Sequence, residues 1–446
     1  MRGRRRCGCP GCVGCRPRRQ HRVRIAQSRC RSREQSVTTN QDHRDSGPDS
    51  GKGPEHVEGP QAEPVRIALA GASGFGRVHR RNLERLAAAG RAQLVAVADP
   101  AGRPDDLDPA IAWYSSLDEL LPNENCAVVI IATPIQTHAP LAELALRAGK
   151  HVYLEKPPVA SMADFDRVVA LLEETGLSCQ VGFQALGSHA LARIAGLIAE
   201  GAIGEPKLIT GYGVWSRTAA YFGRSAWSGK RRLGDAVVSD GVATNALAHS
   251  VAQALRVAGV DDLDRIRSVR TELYKANLDN ESDDTTWIRV EADGALPISI
   301  ALTLCGPGND QPPMVSVIGD QGRIDLRYTT DLLTVDRGAG PGDPGQLGRT
   351  DLTENLLDHL ADGTPLISPF VGHGPYMAVL EAIQSHLPAP LTDGVTVEGS
   401  GPDAHPVIKD IEHWAREAAD SGTGFTAVGA PWATQAAVAD WSPQHS

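Results

Sequence analysis

From Val65 onward the chain alternates short, continuously apolar runs with longer stretches in which apolar residues recur every three or four positions. The runs VRIALA, AQLVAVA, CAVVIIA, HVYL and LSCQV have no polar face, as expected of strands buried on both sides of a parallel sheet. Between them, RVHRRNLERLAAAG, SLDELLP, THAPLAELALRAGK and SMADFDRVVALLEETG have helical spacing, and Gly90 is placed to stop the first. Strand and helix alternate strictly up to Gln184, which predicts a parallel sheet with helices on both faces over residues 65–185. Beyond that the texture changes. A helix near 189–200 leads into strands at 207–215, 266–277, 285–293, 297–304, 313–319 and 322–328. These are interrupted by a helix in GVATNALAHSVAQALRVAG and followed by helices near 375–386 and 405–420. Several strands in a row predict a second, α+β domain over 186–435 with a mostly antiparallel sheet, and residues 436–446 read as a tail.

Charge divides the chain differently. Residues 1–34 hold twelve Arg and one acid, whereas from Val65 onward 30 Lys and Arg face 47 Asp and Glu. An acidic body with 4% aromatic residues disfavours nucleic acid and favours a small ligand. The longest apolar runs are far too short to cross a bilayer, so no membrane role is expected. Cys7, Cys9, Cys12, Cys15 and Cys30 crowd the head; Cys126, Cys179 and Cys305 are scattered through the body, as buried thiols in a reducing cytoplasm would be. The head spacing C-x-C-x2-C-x2-C could hold zinc, but no apolar residues surround it to build a fold. Residues 1–64 therefore read as a disordered head and linker with no metal site.

The first strand runs into GASGFG, which in turn opens a helix, the context a dinucleotide loop requires. Gly71 makes the turn, Gly76 lets helix and strand pack closely, and Ser73, Gly74 and Phe75 complete a cradle of backbone amides for phosphate. A steric strand-to-helix turn would look the same. Asp99, ending the second strand, can accept from both ribose hydroxyls of NAD and would repel a 2′-phosphate, while Arg103 nearby keeps NADP open. Thr133 and Pro134 at the third strand's end would border the nicotinamide, and His138, starting the next helix, is a further candidate cofactor contact, though a lone histidine there equally fits a capping role.

The fourth strand ends in Glu155 and Lys156, then Pro157 and Pro158. It delivers both charges to the carboxyl edge of the sheet, where such sheets bind ligands, so Glu155 and Lys156 are candidate cofactor contacts. Pro157 holds Lys156 extended and permits a cis bond. A partly desolvated lysine beside a cationic nicotinamide would have a pKa lowered toward the range of an acid/base catalyst. Asn245 and His249, four apart on the later helix, would share a face; spacing alone equally fits a structural histidine beside a capping asparagine.

These residues resemble the Gfo/Idh/MocA family of glucose–fructose oxidoreductase and inositol dehydrogenase. The resemblance is carried above all by ATPIQTHAPLAELALRAGKHVYLEKP and by VRIALAGASGFGRVH, and spans roughly residues 65 to 435. It implies a Rossmann domain binding NAD or NADP, a carbohydrate-like substrate over an open sheet, and a homo-oligomer, dimer or tetramer. It also implies that Lys156 transfers a proton and contacts substrate, and that His249, closing the family's D-x-x-x-H, is catalytic. Asn245 stands where the family has that aspartate, Ile135 where it has asparagine, and the arginine common after VGF is missing; Asp240 is the candidate replacement carboxylate. The expectation is a cytoplasmic NAD-preferring oxidoreductase acting on a sugar, polyol or related secondary alcohol. Its rivals are a sugar-modifying enzyme that oxidises transiently with tightly held NAD, and a non-catalytic nucleotide- or sugar-binding protein.

Overall fold

Runs that are apolar on both faces need helices above and below them, and the first half of the molecule is arranged that way. The computed structural model describes residues 63–338, 342, 345–433 and 437–443, so the cysteine-rich head lies outside the described residues. Strands β1 (Val65–Ala70), β2 (Ala92–Ala98), β3 (Ala112–Tyr114), β4 (Val128–Ile131), β5 (His151–Leu154) and β6 (Cys179–Val181) form a six-stranded sheet in the order 3-2-1-4-5-6. Every pairing is parallel, as in a doubly wound dinucleotide fold. Helices α1 (Phe75–Ala88), α2 (Leu117–Asn123), α3 (His138–Arg147) and α4 (Met162–Thr175) connect them. Ser116 and Ser161 start α2 and α4 by accepting from the amides of Glu119 and Asp164. The three-residue β3 is too short to leave a run in the sequence.

The second sheet begins after α5 (Ala190–Ala199) with β7 (Pro206–Val214), followed by the short α6 (Ala219–Phe222), the hairpin β8 (Arg232–Leu233) and β9 (Ala236–Val237), and α7 (Ala248–Val257). Strands β10 (Ile266–Lys275), β11 (Thr285–Ala292), β12 (Ile298–Thr303), β13 (Met314–Gly319), β14 (Arg323–Arg327), β15 (Leu332–Asp336) and β16 (Gly345–Gln346) complete its body. Their order is 16-15-14-13-7-12-11-10, antiparallel except where β7 lies beside β12. One face, with Ile288, Val290, Ile300, Leu302, Val315 and Val317, packs on Val251 and Leu255 of α7.

Three late segments depart from the sequence reading. Helix α8 (Leu352–Asp362) was not predicted, although Asp351 accepts from the Glu354 amide and Gly363 supplies a left-handed stop. It returns to the first sheet: Leu352, Leu356 and Leu357 are buried in one cluster with Ile67, Leu69, Leu83, Leu86 and Ile130. Each such leucine stabilises by about 1.5–3 kcal/mol relative to exposure. Next come α9 (Gly374–Gln384), β17 (Ala389–Pro390), the ribbon β18 (Val395–Glu398) and β19 (His405–Ile408), and α10 (Ile411–Ser421). The sheet face expected to be open carries α10: Ile411, Ala415, Ala418, Phe425 and Trp432 cluster with Val214, Tyr274, Trp287 and Ala301. Finally, the expected tail contains β20 (Ala437–Trp441), antiparallel to β10.

Candidate functional site

The loop after β1 is shaped by contacts that only glycine allows. A Cβ on Gly76 would lie 1.9 Å from the Gly71 carbonyl oxygen, and one on Gly71 would lie 2.4 Å from that of Ala132. The loop thus closes on itself and against the end of β4. Ser73, Gly74 and Phe75 are exposed, their amides have no acceptor among the described residues, and the first turn of α1 has no acidic side chain. This leaves a helix N-terminus open to an anion. Asp99 is buried beside it; its Oδ2 accepts from the Ala72 amide at 2.8 Å and its Oδ1 from Ala101 at 2.9 Å, with further lone pairs for hydroxyl donors. Arg103 is tied to the carbonyls of Ile111 and Asp108, turned into its own loop. A dinucleotide fits this cradle, and the unopposed Asp99 suits an unphosphorylated ribose.

Thr133 and Pro134 line the end of β4, with Thr133 bonded to the Thr137 hydroxyl at 2.6 Å. Two residues expected on the cofactor face inward instead. His138 is buried, with Nδ1 2.9 Å from the Pro157 carbonyl and Nε2 2.9 Å from that of Thr133, and burial holds its pKa below the usual 6.5. It fastens the end of β4 to the turn after β5. Glu155 is also buried. His79 of α1 donates to its Oε1 at 2.8 Å, Gln184 donates to the same oxygen at 3.1 Å, and the Lys156 amide donates to Oε2. Sequence alone does not show His79 as a partner for Glu155, since 76 residues separate them.

Lys156 precedes a cis peptide bond to Pro157 and points away from this buried knot. Its Nζ donates to both the backbone oxygen and Oδ1 of Asn245, each at 2.9 Å. Asn245 in turn donates from Nδ2 to Asp240, whose other oxygen accepts from the Gly229 amide at 2.7 Å and lies 3.6 Å from Arg224. The amide orientation follows from chemistry: a lysine ammonium cannot accept and a carboxylate cannot donate. Burial lowers the Lys156 pKa from its ordinary 10.5, with Glu155 and Asp240 pulling upward and Arg224 downward.

The helix expected to carry Asn245 and His249 on one face is broken. Val242–Ala246 form a π-helical turn and α7 starts only at Ala248. Such turns recur at functional sites because they re-aim side chains. Here the turn sends the Asn245 carbonyl and amide to Lys156, while His249 lines a cavity of about 180 Å³ with Gln184, Ala185, Tyr328, Thr329 and Arg349. His249 packs edge-on to Phe183, and its buried Nδ1 has no hydrogen-bond partner among the described residues. Burial, then Lys156 and Arg349, push its pKa to about 3. Among the described residues no hydrogen bond joins Asn245 and His249; Lys156 bonds the first and acts on the second through its charge. The sequence names Lys156, Asn245, His249 and the candidate carboxylate Asp240; it gives no signal for His79, Gln184 and Arg349, which come from distant segments without a motif.

Residues 65–183 match the model of an oxidoreductase family with an NAD-binding Rossmann fold. The chain is 32% identical over 152 residues to scyllo-inositol 2-dehydrogenase (NAD(+)) of Bacillus subtilis (strain 168), a match covering 33% of this chain and 44% of that protein. It is 36% identical over 119 residues to 4-carboxy-2-hydroxymuconate-6-semialdehyde dehydrogenase of Sphingobium sp. (strain NBRC 103272 / SYK-6), covering 26% and 38%. The chain thus spans less than half the length of these curated relatives. Among solved structures, an NAD-binding oxidoreductase from Klebsiella pneumoniae shares the fold with a TM-score of 0.61 at 21% identity, covering 72% of this chain and 96% of that one. The WlbA dehydrogenase from Bordetella pertussis, solved with NADH and UDP-GlcNAcA, has a TM-score of 0.58 at 21% identity, covering 72% and 95%.

Proposed function

From the match of residues 65–183 to the model of an oxidoreductase family with an NAD-binding Rossmann fold, we propose that the chain is a Gfo/Idh/MocA-type enzyme that oxidises a secondary hydroxyl of a sugar, polyol or related alcohol. Bound between the β1–α1 loop and Asp99, NAD would supply the hydride acceptor. Thr133 and Pro134, at the end of β4, would border the nicotinamide, with Lys156 at the end of the neighbouring β5.

The observation that carries the reading is the double contact of Lys156 Nζ with Asn245. A neutral amine has two N–H bonds and one lone pair. Donating both to Asn245 aims the lone pair outward, toward a substrate hydroxyl, so that Lys156 takes the proton and later returns it. An aspartate at 245 would stabilise the ammonium and keep the resting lysine protonated, with no lone pair to offer; the neutral amide has no such effect. His249, held to about 3, is a weak proton acceptor and serves better as a hydrogen-bonding wall of the cavity. Of the two candidate bases, Lys156 is the one the site supports.

The buried free thiols Cys126, Cys179 and Cys305 support a reducing, cytoplasmic setting, and no helix among the described residues is long and apolar enough to cross a membrane. The face that α10 covers favours edges or loops over the second sheet's face as the contact of any homo-oligomer. The test is purified protein with NAD and a panel of sugars and polyols, following reduced nicotinamide. No turnover across that panel, with NAD bound normally, would leave the binding-protein reading in its place.

A further inference from the structure

Arg349 sits opposite His249 in the same cavity, and its surroundings hold it in advance of any ligand. Asp331 accepts from its Nε at 2.8 Å and from its Nη2 at 2.9 Å, and the Tyr328 carbonyl accepts from Nη2 at 2.7 Å. Asp331 is buried and adopts a left-handed backbone (φ 53°), a conformation that costs energy for any residue but glycine and persists where the surroundings demand it. The backbone around Arg349 is pinned as well: Thr350 donates to Gly187, His189 donates to Gly348, and Arg349 bridges to Ser188. These contacts fix two of the three guanidinium nitrogens. Among the described residues Nη1 has no hydrogen-bond or ion-pair partner, and 31% of the side chain remains accessible.

A guanidinium that is preset, partly open and placed in a cavity beside the proposed proton-transfer site is built to receive an anionic oxygen. We propose that the substrate carries a carboxylate close to its reacting hydroxyl and that Arg349 Nη1 binds it. The inference rests on the oxidoreductase reading and narrows its substrate class to polyhydroxy acids of the uronate kind. A single free nitrogen suits one carboxylate oxygen, and a D-glucose 6-phosphate arm of the test sets phosphate against it. Binding also has a consequence for His249, because Arg349 is one of the cations that depress its pKa, and a bound anion offsets that charge.

The test measures binding separately from turnover. NAD-loaded protein is titrated calorimetrically with D-glucuronate and D-galacturonate against D-glucose and D-galactose, and NADH formation is followed for the same four compounds. The acids are expected to bind about tenfold or more tightly than their neutral counterparts, as one charge-assisted hydrogen bond provides. Arg349→Lys should reduce that ratio. The double variant Arg349→Gln with Asp331→Asn, which leaves no unpaired buried charge, should bring it near one while NAD affinity stays unchanged. Equal binding of acid and neutral sugars by the wild type, no acid binding at all, or a ratio that survives the double variant would each overturn the proposal. Tighter binding of D-glucose 6-phosphate than of D-glucuronate would overturn the choice of carboxylate. Failure of the underlying reading shows differently, as selective acid binding without NADH.

Discussion

The two halves of the cleft are made of different material. On the cofactor side the contacts come from backbone: free amides at the start of α1, a loop closed by Gly71 and Gly76, and Asp99 held by the amides of Ala72 and Ala101. On the side proposed for substrate they come from side chains delivered by distant segments, Lys156 to Asn245 to Asp240 in one line and His249 with Arg349 lining a cavity in another. Backbone sites tolerate changes of side-chain identity as long as the turn forms. A relay of side chains fails when one member is lost, and it is also the part that can be re-tuned for a new substrate.

If that contrast is right, damage on each side should appear in different constants. The largest effect is expected from Lys156→Ala, a loss of roughly 10²–10⁴ in kcat with NAD affinity nearly unchanged. A comparable rise in the NAD dissociation constant would show that the two sides are not separable. On the other side, Gly76→Val forces a side chain into the Gly71 carbonyl. It should weaken NAD binding by about a hundredfold, measured by nucleotide fluorescence, provided the loop's closure rather than its composition makes the phosphate cradle.

Asp240→Asn removes the acceptor that orients the Asn245 amide, so the ring of contacts can close with the amide reversed toward Lys156. We expect kcat to fall by about 10-fold with little change in NAD affinity. Unchanged kcat would mean that Asp240 serves only Gly229 and Arg224. Asn245→Asp acts on the same lysine in the opposite sense to burial. A carboxylate there raises the Lys156 pKa, so the rise of kcat/KM with pH in the oxidation direction should move to higher pH, by about one unit. A shift to lower pH would contradict a proton-accepting Lys156.

The smallest effect is on stability. His249 is neutral in the folded protein down to about pH 3 but takes a proton near 6.5 when unfolded. Because the unfolded state binds more protons between those values, stability is lost as pH falls from about 6.5. His249→Gln should make the unfolding midpoint less sensitive to acid than the wild type by on the order of 1 kcal/mol at pH 5. No difference between the two proteins would mean that the ring is not held neutral.

Legibility in the sequence followed the same divide. The parallel sheet, the phosphate loop and Asp99 were readable because their determinants lie within a few residues of one another, and six strands of the second sheet were placed within a residue or two. Lys156 stood out for the same local reason, an apolar strand ending in a charge and two prolines. Glu155 misled, because its partners His79 and Gln184 are brought to it only by folding. Periodicity also continues smoothly through Asn245 and cannot report that the helix changes its winding there. Nothing local marks Arg349 as different from the other arginines; its role depends on Asp331 and on the segment at Gly187.

Helix α8 has a consequence for the order in which the protein can be made. The nucleotide-binding sheet is complete by Val181, yet the helix that finishes covering one of its faces begins at Leu352. A ribosome that has emitted only the first half has released an unfinished core, with an apolar stripe awaiting residues still to be translated. Cutting the gene at the apparent boundary near residue 185 would freeze that unfinished state, and the resulting fragment should precipitate or recruit chaperones instead of behaving as a small nucleotide-binding protein.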